Sequence, residues 1–462
     1  IVGFLGTMFS NRTANETKYL YCNLHTWIIE KNYRLNFFSC SEIILGPIFK
    51  YNCTFFAKPA KSLIRLFLKK FDMKKLEMKY RVIFLIILHI AVSGGWADSA
   101  LSKSNNSGLG PLELRNQYPV TQQFLSLFPE NTDTQKKGSK RLTYQVAVAN
   151  TFVNTQGGTK QITRAEFNRG LSASDFYDDD SSTTGTDDLV RGYSLYLDAE
   201  TYRHTLKFRY GLGDSSEFSL ELPFLSFGGG FMDSWIEGVH DTFGVPNSEL
   251  RGAYRSLSDR NQYAFYVVKD GAFIYNSEET FETVPGEPVL GWKWRISEGG
   301  NVMPSMSLKL AYKAADSKRD GVRKLVHSGG ADWGHYLLFS KGYGDWLIYL
   351  GDGMTRLGQS NEMASLLKHR FMAIEFRFSR ESSFLMQTVT QSSIFPKTHE
   401  LRSLETNQEQ TNFNLIVPTN LVMAGYKLVW NDLIWEMGFA QDYTNYGNET
   451  DFVIFIETGM QW

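Results

Sequence analysis

The chain has 462 residues, with 48 Lys and Arg against 49 Asp and Glu and a formal charge of −1 at pH 7. That near balance hides two regions: residues 1–72 hold ten of the basic and four of the acidic side chains and residues 73–97 four and one, so residues 98–462 keep 34 and 44, a net of −10. Such an acidic balance excludes nucleic acid as a partner. Residues 98–462 also contain no run of roughly 18–20 apolar residues, which excludes insertion as membrane helices.

Residues 1–72 start at Ile1 and resemble no domain, and all three cysteines (Cys22, Cys40, Cys53) lie there. They read as upstream translated sequence outside the mature protein. Met73 then opens a basic stretch with Lys74, Lys75, Lys79 and Arg81, followed by an apolar run from Val82 to Val92 and small residues at Gly95 and Ala97. These are the three regions of a secretory signal at 73–97, with cleavage expected after Ala97. A short membrane helix is the competing reading, but about eleven apolar residues containing His89 are too few to span a bilayer. Residues 98–138 are polar at first and then carry Phe124-Leu-Ser-Leu-Phe128, which suits a periplasmic arm or a lumen plug.

From residue 139 to 462 the dominant signal is alternation with period two, the pattern of strands with one apolar and one polar face. Leu206, Phe208 and Tyr210 alternate with Lys207 and Arg209, and Phe218, Leu220 and Leu222 with Glu217 and Glu221. Trp292 and Trp294 oppose Lys293 and Arg295, and Leu308, Leu310 and Tyr312 oppose Lys309 and Lys313. Ile374 and Phe376 oppose Glu375 and Arg377, and Trp435 and Met437 oppose Glu436. In the last strand Phe452, Ile454, Ile456, Thr458, Met460 and Trp462 share one face and Glu457 the other.

Connections alternate in length. Short turns are expected at 213–216, 298–303, 342–344, 380–383 and 430–432, and long loops at 155–190, 228–286, 315–330, 355–366, 393–411 and 443–450. Starting with an upward strand at 141–153, this gives an all-β, transmembrane, antiparallel up-and-down barrel of about twelve strands, with short periplasmic turns and long extracellular loops. The segment 261–275 is either a projecting hairpin or an extra pair making fourteen. A soluble β-sandwich also alternates, but here the apolar faces are crowded with aromatics, including Tyr210, Tyr312, Trp346 and Trp430 at strand ends where membrane girdles sit. Phe452, Ile454, Ile456, Met460 and Trp462 then form the carboxyl-terminal signature read by the barrel-assembly machinery. The expected location is the bacterial outer membrane, after export and cleavage near Ala97.

Several stretches add a resemblance. Gly110-Pro-Leu-Glu-Leu-Arg-Asn-Gln-Tyr-Pro119, Tyr210-Gly-Leu-Gly-Asp214, Gly228-Gly-Gly-Phe-Met-Asp-Ser-Trp-Ile-Glu-Gly-Val-His240 and Gly438-Phe-Ala-Gln-Asp442 are similar to a family of Gram-negative outer-membrane proteins known only as a domain of unknown function. The resemblance runs from about residue 108 to 462. It implies a barrel and an outer-membrane location, and no reaction or catalytic residue.

The loop at 228–246 is the most distinctive candidate site. Phe231, Trp235, Val239 and Phe243 recur at intervals of four, with Asp233, Glu237, His240 and Asp241 opposite, so it reads as a lid folding its aromatics into the barrel mouth and gating it. No Lys-Ser/Thr follows the glycines as phosphate binding would need. Asp175, Asp178, Asp179, Asp180, Asp187 and Asp188 make the first long loop acidic, but Thr183 and Leu189 break the calcium-loop spacing. No metal or other cofactor is expected, and contact with lipopolysaccharide phosphates through shared cations is the looser role. A hydrolase of lipid or peptide would use His240, His335 or His369, yet no Gly-x-Ser-x-Gly accompanies them. His335 and His369 read as polar lumen residues, and His204, His327 and His399 complete the set. The lumen is the better clue: Lys207, Arg209, Glu217, Glu221, Lys293, Arg295, Lys309, Lys313, Glu375, Arg377, Glu436 and Glu457 are expected to point inward. Those charges either knit the strands together or line a path for a small solute, porin-like. A structural or adhesive barrel contacting lipopolysaccharide is the third reading. Sequencing of the mature amino terminus is expected to start at Asp98; a start before Met73 contradicts the signal.

Overall fold

The computed structural model describes residues 108–155, 162–176, 193–243, 261–269, 271–316, 321–358, 362–396, 415–443 and 448–462. Residues 1–72, the expected signal at 73–97 with its expected cleavage point at Ala97, the start of the expected arm, Asp178 to Asp180, Asp187, Asp188 and His399 lie outside these residues.

Where the sequence alternates, the chain forms strands. They are β1 (Lys140–Thr155), β2 (Tyr193–Gly213), β3 (Ser216–Gly228), β4 (Ala264–Lys269), β5 (Ala272–Ser277), β6 (Phe281–Pro285), β7 (Val289–Ser297), β8 (Ser305–Lys313), β9 (Asp332–Tyr343), β10 (Trp346–Arg356), β11 (Leu366–Arg377), β12 (Ser382–Gln391), β13 (Thr419–Trp430), β14 (Leu433–Asp442) and β15 (Phe452–Gln461). Among the described residues two α-helices interrupt them, α1 (Arg164–Asn168) and α2 (Met232–Phe243). Among the described residues no helix is long and apolar enough to cross a membrane.

Twelve strands close a circuit. Each of β7 to β15 pairs antiparallel with its neighbour in sequence, β3 pairs with β7 and β2, and β1 pairs with both β2 and β15. Closure leaves the barrel without an edge, so its backbone groups are satisfied in the wall. The segment at 261–275 is a hairpin and adds no pair to the circuit. Within it β4 replaces β3 as the partner of β2 over Tyr193 to Asp198, at the long-loop end, and β5 pairs only with β4. Turns fall within a residue or two of the expected places. Asn431 and Asp432, with φ of 47° and 67°, make the two-residue turn whose twist matches the β13–β14 hairpin.

The two faces of the wall differ sharply. Leu290, Trp292, Trp294, Leu310, Trp346, Met372, Phe384, Ile454 and Ile456 are exposed on the outside, while Lys293, Lys309, Glu375, Glu436 and Glu457 on the alternate positions are buried. A soluble protein rarely exposes so large a continuous apolar surface. The pattern is that of a barrel with lipid outside and a polar interior.

The seam between first and last strands is complete down to the terminal residue. Trp462 accepts a hydrogen bond from the Lys140 N–H at 2.8 Å and donates one to the Lys140 carbonyl at 2.9 Å. Deleting Trp462 removes both and shortens the outward aromatic row. The expected result is a clear drop in the folded, heat-modifiable band on semi-native electrophoresis of membranes; unchanged assembly contradicts this role.

Candidate functional site

The barrel interior is occupied by its own chain. Residues 108–138 run inside the wall, and Leu112, Leu114, Tyr118, Val120, Phe124, Leu125, Leu127 and Phe128 are all buried. The segment has almost no regular structure, so its backbone N–H groups need partners from elsewhere. Inward side chains of the wall supply them one at a time. Glu375 accepts from the N–H of Leu109 at 2.9 Å and of Gly110 at 3.1 Å, Gln387 from Leu112 at 2.8 Å and Glu436 from Glu113 at 2.7 Å. Asp332 accepts from Leu125 at 2.9 Å, and Glu217 from Gln135 at 2.8 Å. The acceptors stand on β3, β9, β11, β12 and β14, so the segment is gripped from around the wall.

Three charged side chains of the segment meet the lumen charges directly. Glu113 lies 2.6 Å from Arg209 and 3.4 Å from Lys207. Glu130 pairs with Lys309, with Lys293 at 3.4 Å and with Arg209 at 3.8 Å. Arg115 pairs with Glu221. The Phe128 ring sits beneath three cations, with Lys309 at 4.4 Å and Arg115 and Lys207 each at 4.8 Å from its centre. Burial alone pushes the Glu113 and Glu130 carboxyls up, but the surrounding cations outweigh it. Arg209 and Lys207 hold Glu113 well below the usual range, and Lys309, Arg209 and Lys293 bring Glu130 down to about 2.

The remaining lumen charges pair within the wall. Lys207 lies 2.8 Å from Glu457, Lys427 lies 2.6 Å from Glu436, and Lys313 pairs with Glu287 and with Asp332 at 3.4 Å. Arg295 and Arg377 share the inward register but lie at the turn end, half-buried, donating to the carbonyls of Asp214 at 2.7 Å and Gly344 at 2.6 Å. The sequence-predicted set of twelve thus divides into an inner majority and two rim arginines. Glu113, Arg115, Glu130, Asp332, Lys427 and Gln387 were missed. The first three sit in a stretch without periodicity, and only the clustered Glu113-Leu-Arg115 was visible as a signal.

At the long-loop end an apolar layer covers the segment. Tyr118, Val120 and Phe124 pack with Leu195, Leu197, Phe227, Phe265, Val267 and Phe395. Tyr275 of β5 reaches in to donate to Gln123 at 3.1 Å.

Two expectations are corrected. The helix α2 does not fold Trp235 into the mouth. Asp233, expected on a solvated face, is 3% exposed and accepts from the side chain of Asn150 at 2.9 Å and the N–H of Asn261 at 3.0 Å. Asn150 lies on the outward register of β1, and the Trp235 ring packs tilted against the outward ring of Phe452, 5.0 Å between centres. The helix therefore lies against the outside of the β1–β15 seam, with Met232 and Ile236 buried and Phe231 exposed. Its position is fixed by close approach: Gly230, at φ 59°, passes so near the Glu200 carboxylate that a Cβ would lie 1.8 Å from it. The side chains of Glu237, His240 and Asp241 fall outside the described residues.

The histidines separate as well. His369 is inside, 3.1 Å from the Thr355 hydroxyl, but His335 faces outward because Tyr336 and Leu338 take the inward register of β9. His204 is also outward, 2.7 Å from the Tyr144 hydroxyl, and His327 meets the Pro285 carbonyl at 2.8 Å. Among the described residues no group of His, Cys, Asp and Glu is placed to hold a metal ion. Asp175 stays in its loop, accepting from the Ser172 N–H at 2.7 Å.

Removing Glu130 takes away the carboxylate paired with buried Lys309, while Arg209 keeps Glu113 at 2.6 Å and Lys293 keeps Glu217 at 3.5 Å, and by the usual cost of breaking a buried ion pair this is about 3–5 kcal/mol. Urea unfolding of Glu130→Ala in lipid vesicles is expected to show a loss of that size. A loss under about 1 kcal/mol, the scale of an exposed pair, means that water reaches the site.

Comparison with known proteins adds three solved barrels. The translocator domain of the autotransporter NalP from Neisseria meningitidis is 8% identical, with 72% of this chain and 91% of that chain covered and a TM-score of 0.32. The Pseudomonas putida toluene transporter TodX is 7% identical, with 77% and 99% covered and a TM-score of 0.30. LpxR from Salmonella typhimurium is 8% identical, with 69% and 99% covered and a TM-score of 0.29. Likeness at this level carries no functional argument, and the fold stands on the strand pairing itself. No curated protein matches the chain. A family model described as a protein of unknown function, DUF3187, matches residues 186–462, which take in β2 through β15, and the chain belongs to that family.

Proposed function

We propose that this chain is an outer-membrane barrel held shut by residues 108–138, and that it binds or passes a small solute when that segment shifts. The membrane placement is supported by the apolar outer wall, which follows the pattern of outer-membrane strands, and by the closed circuit that leaves no backbone edge for lipid to meet.

One observation carries the gating. From Leu109 to Gln135 the segment is held by separate polar side chains and joins no strand ladder, and only its last residue, Gly138, donates a backbone bond to the wall, at the Gly211 carbonyl (2.8 Å), so displacing it breaks no strand–strand pairing. A barrel of twelve strands is wider than the eight-stranded kind that its own side chains fill, so withdrawal of the segment would open a water-filled, charged path. Gating by α2, lying on the outer wall, is not part of this reading. The hydrolase alternative has little to stand on, because His335 faces out of the wall and His369 into it, and among the described residues His369 meets a hydroxyl and no carboxylate.

Planar-bilayer recording tests the proposal. The intact protein is expected to be silent or nearly so, and a variant lacking 108–138 to give stepwise currents. Silence of that variant, once electrophoretic heat-modifiability has shown it folded, overturns the gate.

A further inference from the structure

On the outer wall a cluster of charged side chains interrupts the apolar surface on β10 and β11. Read from the short-turn end, the outward side chains of β11 are Phe376, Ile374, Met372, Arg370, Lys368 and Leu366. The register pairs Arg370 with Asp352, Lys368 with Met354, and Leu366 with Arg356, which in turn faces Trp333 on β9. At about 3.3 Å per residue, Arg370 sits roughly 13 Å along the strand from Leu366. Two cations on β11 therefore lie below the level of the Trp333 ring, inside the belt that meets lipid. Such side chains are unfavourable there, and more so with depth, unless a counter-charge meets them.

Arg370 has one in Asp352 at 2.6 Å, both side chains being largely exposed at 71% and 62%. Lys368 and Arg356 have none: among the described residues no carboxylate lies within ion-pair distance of either. Beside Lys368 runs a groove of about 370 Å³ between β11, β12 and the residues before β13. Leu366, Phe395, Ile416 and Pro418 give it apolar walls, and Thr390 and Ser392 line it with hydroxyls. Ser392 Oγ accepts from the Lys368 N–H at 2.9 Å, which leaves its own hydrogen free to donate.

We propose that this patch binds the phosphate of a phosphorylated lipid in the outer leaflet. Lys368 and Arg356 supply charge, Ser392 donates a hydrogen bond, and the acyl chains lie on the apolar surface below, over Leu350, Met372 and Phe384. The patch is at the long-loop end, which in the proposed orientation faces outward, so the inference rests on the membrane placement above but not on the gate. A lipid is favoured over a second copy of the chain because the wall here presents unmatched positive charge, and a copy would bring the same charge against it.

Native mass spectrometry of the full barrel in neutral detergent tests this with three probes: bis-phosphorylated lipid A, the same lipid with its phosphates removed, and inorganic phosphate. The intact barrel is expected to retain the phosphorylated lipid preferentially. Lys368→Gln with Arg356→Gln should weaken that binding by roughly 25-fold, about fivefold for each cation removed. Lys368→Arg should preserve it, and Lys341→Gln, on the opposite end of the wall, should leave it unchanged. Equal binding of the dephosphorylated lipid, undiminished binding by the double variant, equal competition by inorganic phosphate, or a dimer that depends on the same residues would each overturn the assignment. Heat-modifiable electrophoresis of every variant separates loss of the site from loss of the barrel, and bilayer silence would bear only on the gate.

Discussion

Buried charge is the constraint on which the rest depends. A closed wall of twelve strands with an apolar outside must put its alternate residues inside, and here many of those residues are ionised. Unmatched, they would be costly wherever water is excluded. The chain answers them with a stretch of its own that crosses the interior. Glu113 and Glu130 neutralise the cations of β2, β7 and β8, Arg115 neutralises Glu221, and the carboxylates of Glu217, Glu375 and Glu436 take up backbone N–H groups that have no ladder to join. The wall needs the segment to satisfy its charges, and the segment needs the wall to satisfy its backbone.

The same arrangement explains why the occupant is irregular. A helix would satisfy its own backbone, and a strand would need a neighbouring strand to pair with, so either would leave the lumen carboxylates unanswered. An extended chain offers its N–H groups outward, where Glu375, Gln387, Glu436 and Asp332 stand at different heights. Leucines 112, 114, 125 and 127 then fill the space against Tyr336, Leu338, Tyr349 and Phe371, so polar and apolar contacts are interleaved along one segment. Held by scattered side chains, and by backbone only where Gly138 leads into β1 beside Gly211, it can leave without unzipping a strand, which is what makes a gate physically reasonable.

The wall was legible in the sequence because period-two alternation survives in a barrel with two such different faces. Lys207 to Glu457 could be assigned to one side from that alone, as could the even strand count. The hairpin at 261–275 was ambiguous because β4 continues the pairing of β2, and a local pattern cannot say whether a strand closes the circuit or tops it. His335 was misplaced since polarity was taken to mean inward, whereas the register of Tyr336 and Leu338 decides. The face of α2 was misread for a related reason: spacing placed Asp233 opposite the aromatics, but Asn150 and the Asn261 N–H bury it against the outer wall. The pairings of Glu113, Arg115 and Glu130 had no periodic signal at all. They depend on which strands surround the segment, which is information held by the closed barrel and not by any window of sequence.

The account turns on residues 108–138 filling the lumen. In a barrel produced as residues 98–462, which contain no cysteine, a single Ser126→Cys provides a unique reporter at a buried position whose hydroxyl meets Gln391 at 3.0 Å. Reaction with a water-soluble maleimide, measured in the folded barrel and after heat denaturation, is the direct test. The occupied lumen predicts slow labelling that rises sharply on unfolding; equally fast labelling in both states would show that the segment does not fill the barrel.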